Sequence, residues 1–345
     1  MRQLTYVEPG LVRWEDAAAP VLNDQHAVLA RPLAVARCDL DVAMAAFGLF
    51  PGPYPVGHEA VAEIVATGDV VSRWRAGDRV LIPFQVSCGQ CPACQGGRFA
   101  ACHRYRARAG AAFGFGPSGG GHGGAVADVL VVPAADHLLV AAPPSLSPAA
   151  ACTLPDNVVD AYRCVAPGLA AMPGADVLVV GGAAASIGLY TVAIARVLKA
   201  GRVRYADTDA ERCEAAERLG AEVTKHGGDW PVRFDRAPIT VDNTGDADGL
   251  SCTLRSTDDY GTCTSVAIQF ATATPVPLLA MYTKGITFHV SRADSRRYLP
   301  EVTQLVAGGL LDPSVVPTTV VPWDQADRAW LEPAIKLVVD RAAAP

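Results

Sequence analysis

Hydrophobic and polar positions change rhythm part-way along this chain. Up to about residue 140 the apolar stretches are short, rich in Val or Ile and broken by Gly and Pro. Examples are HAVLARPLAV (26–35), AVAEIVATG (60–68), DRVLIPF (78–84) and AVADVLVVP (125–133). Runs of that length between turn residues predict strands, so a β-rich domain is expected here. Beyond the proline-rich stretch PPSLSPAA (143–150) the pattern alternates strand, small-residue turn and helix. It runs through VLVVGG (177–182), ASIGLYTVAIARVLKA (185–200), RVRYAD (202–207) and AERCEAAERLGAE (210–222). Such alternation predicts βαβ units on a parallel sheet, extended by strands at APITVDNTG (237–245) and GTCTSVAI (261–268). The tail from about 290 mixes helix and strand and fits either domain. There is no internal repeat, low-complexity segment or charge block.

Composition narrows the class. A chain of 345 residues, half of them apolar, is long enough for two domains with substantial cores, and it has no apolar run approaching a membrane span. A soluble protein without a membrane partner is expected. The N-terminus MRQLTYVEPGLVRWED carries neither an apolar h-region nor a small-residue cleavage site, so a cytoplasmic location is expected. Thiols are normally reduced there, and Cys-x2-Cys spacing then favours metal binding or catalysis over disulfides. Net charge is −6, with Lys and Arg scattered, which argues against a nucleic-acid partner and leaves a small-molecule substrate.

The segment 176–209 has the pattern of a nucleotide site. A buried strand at Val177–Val180 leads through a small-residue turn to a helix beginning near Ser186, and a second strand ends at Asp207. In dinucleotide folds the small residues let backbone approach a pyrophosphate at the helix N-terminus, and an acid about 20 residues on binds the ribose diol. Aligning the last glycine of G-x-G-x-x-G on Gly188 places Ala183 and Ala185 at the first two glycine positions, with Gly181 and Gly182 just before. Gly182, Ala183, Ala185, Ser186, Ile187, Gly188 and Asp207 are therefore expected against the cofactor. Asp207 would repel a 2′-phosphate, and Thr208 and Asp209 supply no cation, which favours NAD over NADP. The plainer reading is that Asp207 opens a loop or caps a turn.

Four cysteines lie in SCGQCPACQGGRFAACH (87–103): Cys88, Cys91, Cys94 and Cys102. Their C-x2-C-x2-C-x7-C spacing delivers four thiolates from one loop, enough to close a tetrahedral shell around zinc. A closed shell has no open position for substrate, so this site is expected to be structural.

A second set is dispersed. Cys38 lies in VARCDLDVA, His58 and Glu59 in PVGHEAVAEIV, and Asp156 in CTLPDNVVDAYRCV. Taken singly these are ordinary, since a buried Cys or a satisfied His is commoner than a ligand. Their order, with Gly-Asp-Arg-Val (77–80), the four-cysteine loop and the nucleotide unit, resembles the zinc-containing medium-chain dehydrogenase/reductase family, the alcohol dehydrogenases. The similarity covers nearly the whole chain.

The resemblance implies an α/β protein with a β-rich GroES-like catalytic domain and a doubly wound, parallel-sheet Rossmann domain. The expected divisions are a catalytic domain at 1–157 with its zinc lobe at about 85–105, a dinucleotide domain at 158–290, and a return to the catalytic domain at 291–345. It implies two zinc ions per chain and NAD. The catalytic zinc would be held by Cys38, His58 and Asp156. Most members have Cys at the third position, and Asp there resembles the branch of glutathione-independent formaldehyde dehydrogenases. Zinc accepts carboxylate oxygen; Cys152, four residues earlier, is the rival. Glu59 is by resemblance an acid near the metal. Asp41 matches the acid that would hold the ring N–H of His58, and Phe84 falls at a substrate-pocket wall.

The implied activity is hydride transfer between NAD(H) and an alcohol, aldehyde or ketone at an open zinc position. The family's Ser/Thr relay position is here Leu40, and the histidine position beyond it is Ala43, so the usual proton relay is absent. Asp160 stands where a Thr is usual. Two alternatives follow: a reductase of iminium or conjugated C=C bonds that needs no relay, and a non-enzymatic nucleotide-binding relative. The Gly-rich run FGFGPSGGGHGG (113–124) reads as a flexible loop, and His122 and His103 as non-ligands. A homodimer or homotetramer whose nucleotide sheets meet edge to edge is also implied.

Overall fold

The Val- and Ile-rich runs of the first part of the chain form a mainly antiparallel sheet. Its order is Thr319–Pro322, Leu337–Asp340, Val28–Arg37, Glu59–Thr67, Arg79–Ile82 and Val140–Ala141, with Leu130–Val132 also paired to Val28–Arg37. Val28–Arg37 runs through Pro32, which has no N–H to give a ladder; the register with Glu59–Thr67 is irregular between Pro32 and Ala34. Leu11–Asp16, Arg2–Glu8 and Tyr54–Pro55 make a small second sheet. The AVADVLVVP run yields only the short strand Leu130–Val132.

This computed structural model describes residues 1–344 and divides into two units. The first comprises Met1–Val159, Asp294–Gly309 and the chain from Thr318; the second comprises Asp160–Ala293 and Leu310–Pro317. The tail is thus shared, and both of its strands belong to the first unit.

In the second unit six parallel strands lie in the order Glu222–Lys225, Val203–Asp207, Val177–Val180, Ala237–Asp242, Thr257–Ser265 and Thr287–Val290. Numbered along the chain that order is 3-2-1-4-5-6, the dinucleotide-binding arrangement. The central strand VLVV is buried throughout, as expected of a parallel strand covered on both faces. The order reverses beside Val177–Val180, so the ends of this strand and of Ala237–Asp242 form the switch point where ligands bind in such sheets.

One crossover departs from the alternation. Between Glu222–Lys225 and Ala237–Asp242 the chain forms no helix, although such crossovers usually carry one. Trp230 and Phe234 pack instead on Leu178, Val180 and Ala237, and His226 lies against Trp230 with ring centroids 4.7 Å apart. Two aromatic side chains therefore cover sheet surface that a helix would otherwise bury. Among the described residues no helix is long and apolar enough to cross a membrane.

Replacing Trp230 with Ala should uncover this part of the sheet. We expect a loss of about 3 kcal/mol of stability, read as a lower urea midpoint, whereas Val232→Ala, on the same crossover but 76% exposed, should leave the midpoint unchanged.

Candidate functional site

The strands Val28–Arg37 and Glu59–Thr67 run antiparallel with Ala36 opposite Glu59. Cys38 follows the end of one and His58 precedes the start of the other, so pairing brings together residues twenty apart in sequence. Cys38 is also the N-cap of helix Asp39–Phe47: its Sγ accepts from the Leu40 N–H, and the Asp41 carboxylate accepts from the Cys38 N–H at 3.0 Å. The cap therefore fixes both the sulfur and Asp41. Asp41 Oδ1 stands 3.3 Å from His58 Nδ1, an ion-pair approach rather than a well-formed hydrogen bond.

Asp156 arrives from a third direction, on the π-helical turn Leu154–Val158. Pro155 supplies no N–H there, and the Val158 N–H reaches back five residues to the Thr153 carbonyl. The Ser295 hydroxyl donates to the Pro155 carbonyl and the Asn157 N–H donates to Glu59 Oε1, fixing the turn on both sides.

Cys38, His58 and Asp156 thus present one donor atom each, all within 4.8 Å of one another. His58 Nε2 and Asp156 Oδ2 are 3.4 Å apart. That is long for a charge-assisted hydrogen bond. It matches the edge of a tetrahedron, because N and O ligands at their usual zinc distances stand about 3.4 Å apart. The electrostatics agree with a site built for a cation. Burial, then the charge of Asp156, pushes the Cys38 thiol up to about 12. Burial would lower His58, but Asp41 and the contacts with Asp156 and Cys38 outweigh it and hold the ring well above its ordinary value.

Cys152 is buried but lies outside that donor group, and its thiol donates to the Ala149 carbonyl at 3.3 Å. Glu59 is also elsewhere engaged: its Oε2 is 2.5 Å from Lys336 Nζ, and neither side chain has any exposed surface. Burial raises Glu59 to about 7 against the opposing pull of Lys336. Lys336 is a residue that sequence reasoning missed. Its signal was a lone cation heading the apolar strand Leu337–Asp340, where only a buried partner makes it tolerable.

The four-cysteine comb forms a second donor group, Cys88, Cys91, Cys94 and Cys102, also within 4.8 Å of one another. Cys91 Sγ and Cys102 Sγ are 4.0 Å apart, near the roughly 3.8 Å edge of a zinc–thiolate tetrahedron. Backbone N–H groups of His103 and Tyr105 point at Cys91 and Cys102. The His103 and Cys94 backbone hydrogen bonds lower the Cys91 thiol to about 5.

Around the first group stand aromatic rings. Phe84 and Phe115 each lie 5.4 Å from the His58 ring, and Phe50 lies 5.5 Å from Phe115. Phe115 comes from the Gly-rich run, which the sequence suggested was a flexible loop. There Gly114 and Gly116 adopt positive φ (72° and 54°), and Phe115 between them and Phe113 just before are buried. The run is an anchored wall. His122 packs against Tyr105 and Phe113, and His103 is exposed; neither joins a donor group. Leu40 and Ala43 lie on helix Asp39–Phe47 and offer no proton carrier. In the second unit, Asp160 is held by Arg163 at 2.6 Å.

The expected nucleotide residues line the turn between the first strand and helix Ala185–Val197. Gly182 is tightly confined, since a Cβ there would come within 2.6 Å of the Thr244 backbone. The Ala183 and Ala184 N–H groups donate to the Thr244 and Asn243 carbonyls, and helix Ala185–Val197 begins directly after them. Gly188 faces Asn243 and Tyr205 at contact distance. Asp207 differs from expectation. It is 1% exposed, accepts from the Tyr205 hydroxyl at 2.6 Å, and is gripped by Arg212 through Nε and Nη2, both at 2.7 Å. The cation that Thr208 and Asp209 do not supply comes from one turn further along, on helix Ala210–Arg218.

Comparison with known proteins follows the same lines. The alcohol dehydrogenase GroES-like domain family matches residues 24–144. A Mycobacterium tuberculosis protein described as a probable zinc-binding alcohol dehydrogenase is 29% identical over 96% of this chain and 84% of its own. The glutathione-independent formaldehyde dehydrogenase of Pseudomonas aeruginosa is 30% identical over 69% of this chain, an alignment spanning 62% of that enzyme. Among solved structures, the alcohol dehydrogenase of Thermus sp. ATN1 superposes with a TM-score of 0.90 at 28% identity, covering 99% of both chains.

Metal analysis of purified variants tests the donor groups separately. Cys38→Ser and Asp156→Asn should each lose one of two bound ions, and Cys91→Ser the other, whereas Cys152→Ser should retain both.

Proposed function

Because the chain belongs to the zinc-containing medium-chain dehydrogenase/reductase family, the alcohol dehydrogenases, we propose that it transfers hydride between NAD(H) and a small alcohol, aldehyde or ketone. The observation that carries the reading is the buried donor group Cys38, His58 and Asp156, with its 3.4 Å nitrogen–oxygen edge. Three protein ligands are the number a catalytic zinc site uses, the fourth position being left for substrate, while the four-cysteine group suits a closed structural site.

When bound, zinc supplies Lewis acidity toward the substrate oxygen and NAD(H) the hydride acceptor or donor. The chain's own residues supply the rest. Cys38, His58 and Asp156 would hold the metal as thiolate, neutral imidazole and carboxylate. Asp41 orients the His58 ring from its far nitrogen. Phe84 and Phe115 pack beside that ring and exclude water from it. Glu59 is held to Lys336 and the Asn157 N–H, which keeps a further carboxylate engaged beside the ligands. Leu40 and Ala43 carry no proton, so the alcohol proton leaves by water rather than along a hydroxyl–histidine chain.

We extend the proposal to a homodimer. Strand Thr287–Val290 is the edge of the parallel sheet, and Tyr260, Leu278, Leu279, Tyr282 and Val290 nearby in the second unit are all at least two-thirds exposed. An apolar, unpaired edge of this kind suits a second copy of itself.

Incubating the enzyme with alcohols and NAD, or aldehydes and NADH, should change absorbance at the reduced-nicotinamide band, and Cys38→Ser should abolish the change. Silence with every substrate would remove the assigned chemistry. Tyr282→Glu should shift the mass measured by light scattering toward a single chain; an unchanged mass would place the contact elsewhere.

A further inference from the structure

The surroundings of Asp207 point beyond NAD. We propose that the ribose end of the nucleotide site also accepts the 2′-phosphate of NADP(H), with Arg212 as its receptor and Lys225 as a second cation. The inference rests on the dehydrogenase reading and concerns the same site.

A carboxylate discriminates against NADP(H) by presenting free, negatively charged acceptors to the ribose diol. Asp207 has none to present. Its Oδ2 accepts from the Tyr205 hydroxyl and Arg212 Nε, and its Oδ1 from Arg212 Nη2 and the Thr208 and Asp209 N–H groups. These five donors saturate a group with about four acceptor sites. The carboxylate is also 1% exposed, so a ribose hydroxyl meets other atoms first.

What lies outward is positive. The Arg212 side chain is 21% exposed, and two of its nitrogens are spent on Asp207, while Nη1 is 4.0 Å from the nearest Asp209 oxygen. A guanidinium has five N–H donors in a planar fork, so the remaining ones suit a phosphate monoester. Lys225 stands opposite Asp207 in the parallel register with the neighbouring strand and is exposed. Successive strands in register place such residues on one face. Asp209 turns its Oδ1 back to the Arg212 N–H as the helix cap. Arg212 and Lys225 offset the charges of Asp207 and Asp209, leaving Glu211 in the first turn of the same helix as the remaining acid. The position is the end of the second strand of a 3-2-1-4-5-6 sheet, where an acid reads the diol or an Arg accommodates the phosphate. Here the acid serves to anchor the Arg.

Fluorescence titration of the full-length protein with NADH and with NADPH, in the absence of substrate, tests this without turnover. The two dissociation constants should agree within about tenfold, ~1.4 kcal/mol. Arg212→Ala should release the Asp207 carboxylate and weaken NADPH by at least about tenfold while NADH stays within about threefold. Lys225→Ala, at an exposed position that leaves the Asp207 contacts intact, should weaken NADPH alone, and the NADPH affinity should fall more steeply with salt. NADH binding tighter than NADPH by more than about a hundredfold would overturn the inference while leaving the dehydrogenase reading in place. So would equal weakening of both nucleotides in Arg212→Ala together with no effect of Lys225→Ala. Binding of neither nucleotide would overturn the dehydrogenase reading, and the inference with it.

Discussion

One strand, Val28–Arg37, sets the geometry of the first unit. Glu59–Thr67 pairs with it on one side and Leu337–Asp340 on the other. Its C-terminal end releases Cys38 into a helix cap, the first partner begins beside His58, and the second begins beside Lys336. Ladder register therefore decides which side chains meet at this edge. A slip of one residue would turn every side chain of a strand to the opposite face, separating the sulfur from the imidazole and leaving Glu59 without its cation. Backbone register is what brings the donor atoms together.

Charge is handled in a similar way in both units: three buried carboxylates each face a cation within the chain. Glu59 is matched by Lys336, Asp207 by Arg212, and Asp160 by Arg163. Removing one member of such a pair strands the other in a medium that solvates it poorly, at a cost of about 3–5 kcal/mol. The group at Cys38, His58 and Asp156 differs in setting a thiol and an imidazole beside its carboxylate. There burial and the charge of Asp156 push the thiol up, and, against burial, Asp41, Asp156 and Cys38 raise the imidazole above its ordinary value.

Much of the fold was legible because it rests on local pattern. The run VLVVGG lies on a fully buried strand ending at Val180, and RVRYAD on a strand ending at Asp207, since strand length and flanking turns are encoded within a few residues. The cysteine comb was legible for the same reason, as all its donors come from one loop. Legibility failed where function depends on distant pairs. Lys336 and Glu59 lie 277 residues apart, and no period or spacing links them. Arg212 lies only five residues after Asp207, yet reading the acid beside Thr208 and Asp209 alone missed it, because the helix turns the side chain back onto the strand end. Phe115 was lost among glycines that looked permissive; their positive φ values instead bury the ring.

Residue type and order by themselves determined the class of architecture, the small-residue turn leading into a helix N-terminus, and the inventory of thiols, imidazoles and carboxylates available for chemistry. Tertiary structure alone decided how those groups were spent: Asp156 rather than Cys152 beside His58, Glu59 bound to a lysine, and Asp207 turned inward under an arginine. The physical reason is that a side chain's type sets what it can bind, while its charge state and free valence depend on burial and neighbours. Those follow from strand register and helix direction, which act over distances that sequence spacing does not record.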